Sequence, residues 1–422
     1  MLNCLKQMKI LIILNSFPPK INSAARLYSD LSKFLSEQGH DVTVLTSRPT
    51  EEDVVDWSDE YYKTRRGRSF RNGIRVIRVP PHFNFFSRII GGKAMRFAQS
   101  CLFFIIGGIF IKRHDVILIY SPPLFLGIAG YFISKIKRSH YIINIQDIHP
   151  KVLIDAGIVQ SPLMKYILLS METFNYSNAK SLIVYSAGNK KYLVDKNINK
   201  DKITVIPNWV DTNLVQPVEK MNAFRGELEL EKKFVVMYAG SLTSAQQPEI
   251  IVKAAALLKD HNEIRFCIVG DGTSKPELHK LIADHKLINV CLLPVQTGEK
   301  YFGVLNASDV CLLPLNKDIP PQTVPGKLAE IMACGKPVIA SVDLTGDAAK
   351  IIENAVCGYN VAAGDALGLS LAILKMYNNR DALKVMGDNA RQFALQEYSR
   401  DVCLKKFERL LFSVLGPSGN CD

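Results

Sequence analysis

Apolar runs of strand length alternate along this chain with segments of helical spacing. Lys9-Ile-Leu-Ile-Ile-Leu14 is uninterrupted and long enough for a strand buried on both faces. Ser16-Phe-Pro-Pro19 breaks it. Asn22-Ser23 then offers a cap for a helix whose apolar positions are Ala24, Leu27, Tyr28, Leu31, Phe34 and Leu35, three and four apart. Gly39 stands where such a helix stops, and Val42-Thr-Val-Leu-Thr46 reads as the next strand. Strand, helix and strand within so short a stretch make one βαβ unit. The strand pattern returns at Asp115–Tyr120, Tyr141–Ile145, Ser181–Tyr185 and Ile203–Ile206.

Residues 209–231 lose the alternation and end in Glu227, Glu229 and Glu231, which predicts a linker. Strands resume at Phe234–Gly240, Phe266–Gly270, Val290–Leu293, Val310–Leu313 and Pro337–Ala340, with a helix over Ile250–Leu258 and helical spacing from Leu367 to Leu415. The expected architecture is α/β: a doubly wound, Rossmann-like domain over 1–208, a second over 232–395, and a C-terminal helix over 396–422 that can cross back to the first. Ligands of such sheets bind in the cleft at the carboxyl ends of the strands.

Composition narrows the class. With 48% hydrophobic and 22% charged residues the chain can build real cores, which argues against extended disorder. Nine cysteines without a CxxC pair read as thiols of a reducing compartment. The apolar run Ile10–Leu14 is short for a secretory signal core, so a cytoplasmic location is expected. The net charge of +12 is lopsided: 29 Lys and Arg against 16 Asp and Glu through residue 215, then 23 against 24. Arg65, Arg66, Arg68, Arg71, Arg75 and Arg78 cluster, and Arg88, Lys93 and Arg96 follow. Lys112 and Arg113 close the apolar run Ala98–Ile111, which is too short at 1.5 Å per residue to cross a ~30 Å hydrocarbon core. A basic–apolar–basic segment suits an anionic lipid surface, and a core helix with a basic rim is the alternative. No nucleic-acid motif accompanies the charge, so nucleic acid is not an expected partner.

Six segments then converge on one family. Pro325-Gly-Lys-Leu-Ala-Glu-Ile-Met-Ala-Cys-Gly-Lys-Pro-Val-Ile-Ala340 resembles the nucleotide-sugar signature of family 4 retaining glycosyltransferases. Phe17-Pro-Pro19, Gln146-Asp-Ile-His-Pro150, Ile206-Pro-Asn-Trp-Val-Asp211, Tyr238-Ala-Gly-Ser-Leu242 and Ile268-Val-Gly-Asp-Gly272 match in order. The resemblance implies the GT-B fold of two facing Rossmann-like domains, the first taking the acceptor and the second the nucleotide sugar. It is greatest to bacterial O-antigen and capsule enzymes, including the fucosamine-type subgroup. It further implies a nucleoside diphosphate donor, UDP-linked in the first instance, and a polyprenyl-diphosphate-linked saccharide acceptor. The enzyme would sit peripherally on the inner face of the cytoplasmic membrane. A sugar-nucleotide epimerase working without an acceptor is the alternative reading.

Glycosyl transfer breaks a C1–O bond to a diphosphate, so charge grows on the leaving group. A helix starting near Gly326 would aim free N–H groups and its positive end there, and Lys327 would add a full charge. Glu330, at i+3 from Lys327, is expected on ribose hydroxyls, with an ion pair to Lys327 as the alternative. Gln322 stands where the family has a second Glu, and no Arg or Lys follows Gly240. Donor contacts are expected from Gly240, Ser241, Gln246, Gly270, Gln322, Thr323, Gly326 and Glu330. Lys20-Ile-Asn-Ser-Ala-Ala25 lacks the family's glycines, and Leu293-Pro294 replaces a common Leu-Gly. Asp147 and His149 follow a strand end and are catalytic candidates together with Lys327. His40 is expected at the surface. No metal-ligand spacing and no GxGxxG fingerprint occur, so neither metal nor another cofactor is expected.

Overall fold

The computed structural model describes residues 7–49, 68–71, 73–80, 92–155 and 157–416. They form two compact units, one drawn from Met1–Ile206 and Leu404–Asp422, the other from Pro207–Cys403.

The first unit holds β1 (Lys9–Ile13), β2 (Asp41–Ser47), β3 (Arg68–Arg71), β4 (Ile74–Val79), β5 (Val116–Ser121), β6 (His140–Ile145), β7 (Ser181–Val184) and β8 (Ile203–Val205). They lie in the order β3-β4-β2-β1-β5-β6-β7-β8, and only the edge strand β3 runs antiparallel to its neighbour. The order reverses between β1 and β5, where Ile10 faces Val116 and Ile13 faces Ile119. Both strands are almost wholly buried because helices cover both faces. Asn22 caps the helix Ser23–Glu37 through Oδ1, which accepts from the Ala25 N–H at 2.9 Å.

The second unit holds β9 (Phe234–Ala239), β10 (Ile264–Val269), β11 (Val290–Leu293), β12 (Val310–Pro314), β13 (Val338–Val342) and β14 (Gly358–Ala362). Its order, β11-β10-β9-β12-β13-β14, reverses between β9 and β12, and every pair is parallel. Each unit is therefore doubly wound, the GT-B building block, with its ligand crevice at the point of reversal.

Two sequence expectations differ from the structure. The stretch 209–231 packs into the second unit's core instead of standing free. Val210, Val215 and Leu230 are buried there, and so is Arg225 on the short helix Ala223–Glu227. Arg225 Nε donates to the Ala307 carbonyl at 2.7 Å, Nη1 to Leu230 at 2.8 Å, and Nη2 to the Asp309 carboxylate at 2.5 Å. A segment that reads as polar is thus anchored by one buried cation bonded to three carbonyls and a carboxylate. His40 likewise is buried: its Nε2 lies 3.1 Å from Glu408 Oε1 and its ring meets Phe412 edge-on.

The apolar run anticipated at 98–111 falls within the helix Gly92–Ile109 except for its last two residues. Phe104 points into the core, while Leu102, Ile106 and Phe110 are exposed. Among the described residues no helix is long and apolar enough to cross a membrane. Arg65, Arg66 and Arg88 of the basic cluster lie outside the described residues.

Candidate active site

In the second unit the loops after β9, β10 and β12 meet at the strand reversal. Leu242 N–H donates to the Asp271 carbonyl at 2.8 Å, tying the β9 loop to the β10 loop. Asn316 N–H donates to Ala245 O at 2.9 Å, and its Nδ2 to Ser244 O at 3.1 Å, tying in the β12 loop. Gly270 permits the closest of these approaches, since a Cβ there would sit 1.9 Å from the Gly240 carbonyl oxygen. Gly240 and Gly270, expected donor contacts, therefore shape the floor of the crevice by backbone-to-backbone contact.

The helix Gly326–Ala333 opens on this floor. Its N-cap is Pro325, and no side chain caps it, so the first N–H groups remain for a ligand. Lys327, in the first turn, folds back toward β9: Nζ donates to Tyr238 Oη at 3.0 Å and lies 4.4 Å from that ring's centroid. Tyr238 Oη in turn donates to Ser241 O at 2.6 Å. The ammonium fills the space that a side chain at 240 would claim, for a Cβ on Gly240 would lie 2.5 Å from Nζ. Burial lowers the Lys327 ammonium to about 8, with Glu330 opposing. The site thus keeps a cation partly stripped of water, a state that a diphosphate would relieve.

Glu330, one turn on, accepts from Tyr301 Oη at 3.0 Å. Gln246 and Thr243 bond side chain to side chain at 2.5 Å in the β9 loop. Thr323 N–H donates to Pro320 O at 2.9 Å, and Asp347 N–H to Pro321 O at 2.8 Å, which fixes the turn bearing the half-buried Gln322. Gly326 and Ser241 are exposed.

In the first unit Asp147 and His149 share the turn after β6, closed by His149 N–H donating to Asp147 O at 2.9 Å. Asp147 presents an edge to solvent, yet enough protein surrounds its carboxyl for desolvation to raise it above the usual carboxylate range, with His149 opposing. Burial lowers the His149 imidazole, and Asp147 opposes that shift. Beneath them runs a relay that the sequence did not reveal. Gln146 Nε2 donates to Asn144 Oδ1 at 3.1 Å, and Asn144 Nδ2 donates to Tyr28 Oη at 2.9 Å. Tyr28 stacks edge-on against Tyr120, whose hydroxyl burial pushes to about 12 with help from the Asp147 charge. Asn144 and Tyr28 are both buried, so this row holds the turn rather than meeting solvent. Among the described residues no group of three or more His, Cys, Asp or Glu side chains is placed to hold a metal ion.

Residues 24–214 match Glycosyltransferase Family 4, and residues 220–393 match Glycosyl transferases group 1. The chain carries these two glycosyltransferase domains in succession, on the GT-B fold, and is a glycosyltransferase. The colanic acid biosynthesis glycosyl transferase WcaI of Escherichia coli K12 is 23% identical over 365 residues, 83% of this chain and 88% of that protein. The glycosyltransferase WbjE of Pseudomonas aeruginosa is 27% identical over 316 residues, 73% of this chain and 76% of WbjE. Among solved structures, Anabaena HepE in complex with UDP-glucose superposes with a TM-score of 0.68 at 19% identity, covering 96% of this chain and 100% of HepE. WaaG, a glycosyltransferase involved in lipopolysaccharide biosynthesis, superposes with a TM-score of 0.64 at 15% identity, covering 96% and 100%.

Proposed function

We propose that this enzyme moves a sugar from a UDP-linked donor to a polyprenyl-diphosphate-linked saccharide during assembly of a bacterial surface polysaccharide, with retention at the anomeric carbon. The observation that carries the reading is the partly desolvated Lys327 ammonium beside the uncapped start of the helix Gly326–Ala333. Two sources of positive potential converge there, as a departing diphosphate requires. As C1–O breaks, its electron pair stays on the diphosphate, where Lys327 and the helix N–H groups receive it. The acceptor hydroxyl oxygen bonds C1 from the same face, and its proton passes to the leaving phosphate oxygen. Glu330 takes the ribose hydroxyls, and Gln246, Gln322 and Thr323 face the sugar.

Asp147 and His149 serve the acceptor side, the domain over 1–208 receives the acceptor, and the domain over 232–395 receives the donor. The donor and pathway assignments are supported by HepE, which was solved with UDP-glucose, and by WcaI and WaaG, named for surface polysaccharide biosynthesis. A fucosamine-type sugar is the donor suggested by the motif resemblance. The enzyme works from the inner face of the cytoplasmic membrane, held by its basic first half and the exposed Leu102, Ile106 and Phe110. The test mixes purified protein with a panel of UDP-sugars, with and without a polyprenyl-diphosphate saccharide. Product requires both substrates. UDP release with a modified sugar from donor alone would favour an epimerase, and the absence of UDP binding would sink the reading.

A further inference from the structure

The first unit carries a cavity at the other end of its strands from the catalytic candidates Asp147 and His149. It opens at the amino ends of β6 and β7, whereas Asp147 follows the carboxyl end of β6. The cavity is about 570 Å³, and Lys135, Arg138, Lys180, Lys202 and His140 are among its lining residues, none of which is acidic. Lys202 Nζ donates to the Ser177 carbonyl at 2.9 Å at the end of the helix Pro162–Asn178, which fixes one cation in the wall. Burial and the neighbouring Lys180 charge both lower the Lys202 ammonium, so the pocket holds more positive charge than its surroundings neutralise. Tyr141 also lines it, and the Tyr141 hydroxyl is buried without a hydrogen-bond partner.

An apolar trough of about 520 Å³ adjoins this pocket along the same helix. Tyr166, Leu169, Thr173, Phe174 and Ser177 recur there at three and four residues, on one face. Phe174 of the trough meets Tyr131 edge-on at 4.9 Å, and Lys135 Nζ of the pocket lies 5.4 Å from the Tyr131 centroid, so one ring bridges the two linings. Tyr166 is 71% exposed, and Ile136, on the helix that also bears Lys135, is 54% exposed. A greasy channel ending in a cluster of unneutralised cations has the chemistry of an anionic amphiphile's receptor.

We propose that this trough and pocket hold a phosphate-bearing membrane lipid, its hydrocarbon lying along Tyr166 and Leu169 and its headgroup phosphate among Arg138, Lys180 and Lys202. The proposal rests on the membrane reading above and makes this end of the sheet a docking face. Co-sedimentation of the full chain with phosphatidylglycerol vesicles tests it, with phosphatidylcholine vesicles and free glycerol 1-phosphate as comparison arms. Arg138 and Lys180 are exposed, so the double variant R138Q/K180Q is compatible with the fold, which thermal melting checks. It should bind phosphatidylglycerol vesicles about thirtyfold more weakly, from roughly fivefold per charge removed, and Leu169→Gln should weaken the same binding. Vesicle binding lost in Phe110→Gln but unchanged in R138Q/K180Q and Leu169→Gln would leave the membrane reading standing and overturn this site. Wild-type protein that ignores phosphatidylglycerol vesicles would overturn both. Glycerol 1-phosphate binding as tight as vesicle binding, with Leu169→Gln silent, would make this a soluble phosphate site and overturn the lipid assignment.

Discussion

Replacing Lys327 by methionine should stabilise the protein at neutral pH while removing its grip on the donor. Burial moves the ammonium from 10.5 to about 8. At roughly 1.4 kcal/mol per pH unit, the charged form is about 3 kcal/mol worse in the fold than in the open chain. The hydrogen bond to Tyr238 and the contact with its ring return about 1 kcal/mol each. A net gain of about 1 kcal/mol at pH 7 remains for the variant. The sign follows from proton counts. Between about 8 and 10.5 the unfolded chain holds a proton that the folded protein lacks, so wild-type stability rises with pH across that window and the variant's does not. Above it the variant has only lost contacts and should be the less stable by about 1 kcal/mol. Thermal melts at pH 7 and pH 11.5, read as shifts of roughly 3 °C of opposite sign, measure the difference, and calorimetry with UDP measures the lost affinity. A variant less stable at both pH values by the same amount would show that the ammonium is not desolvated. UDP affinity unchanged in Lys327→Met would remove the basis for the donor site.

Three other outcomes follow from the same geometry. Gly270→Ala puts a methyl group into the Gly240 carbonyl and should cost at least about 2 kcal/mol in urea unfolding, with UDP affinity falling because the β9 loop is displaced. Glu330→Gln keeps a partner for Tyr301 but loses the carboxylate, and should weaken UDP roughly tenfold; 2′-deoxy-UDP should then show a smaller loss than UDP does. Asp147→Asn removes the charge that holds the His149 imidazole up, so its titration, followed by NMR, should move further toward acid. An unmoved His149 would show that the two groups do not share a field.

Much of the scaffold is legible in the sequence because parallel strands buried on both faces leave continuous apolar runs, as at Ile10–Leu14 and Phe234–Ala239. The helix at Gly326 is equally plain, since Pro325 cannot sit in its interior and the apolar positions beyond it recur at helical spacing. What stays hidden depends on partners distant in the chain. Asn144 bonds a tyrosine 116 residues away, and Arg225 an aspartate 84 residues away, so composition alone marks both as polar and solvent-facing. His40 reads as a surface residue for the same reason, its partner lying 368 residues on. The spacing marks Lys327 as a phosphate contact, and its turn back onto Tyr238 depends on the space left by Gly240, 87 residues earlier, which no local pattern encodes.

The pairing of His40 with Glu408 bears on how the chain is made. The second unit is one unbroken stretch, ending at Cys403, whereas the first borrows residues from Leu404 onward. On the ribosome, the second unit therefore has all its own residues before the earlier-born unit receives its last buttress. Until then His40 and the surface around Phe412's seat stand open to water. Stalled or prematurely terminated translation should yield a folded back half trailing an unfinished front, the form most exposed to quality-control proteases.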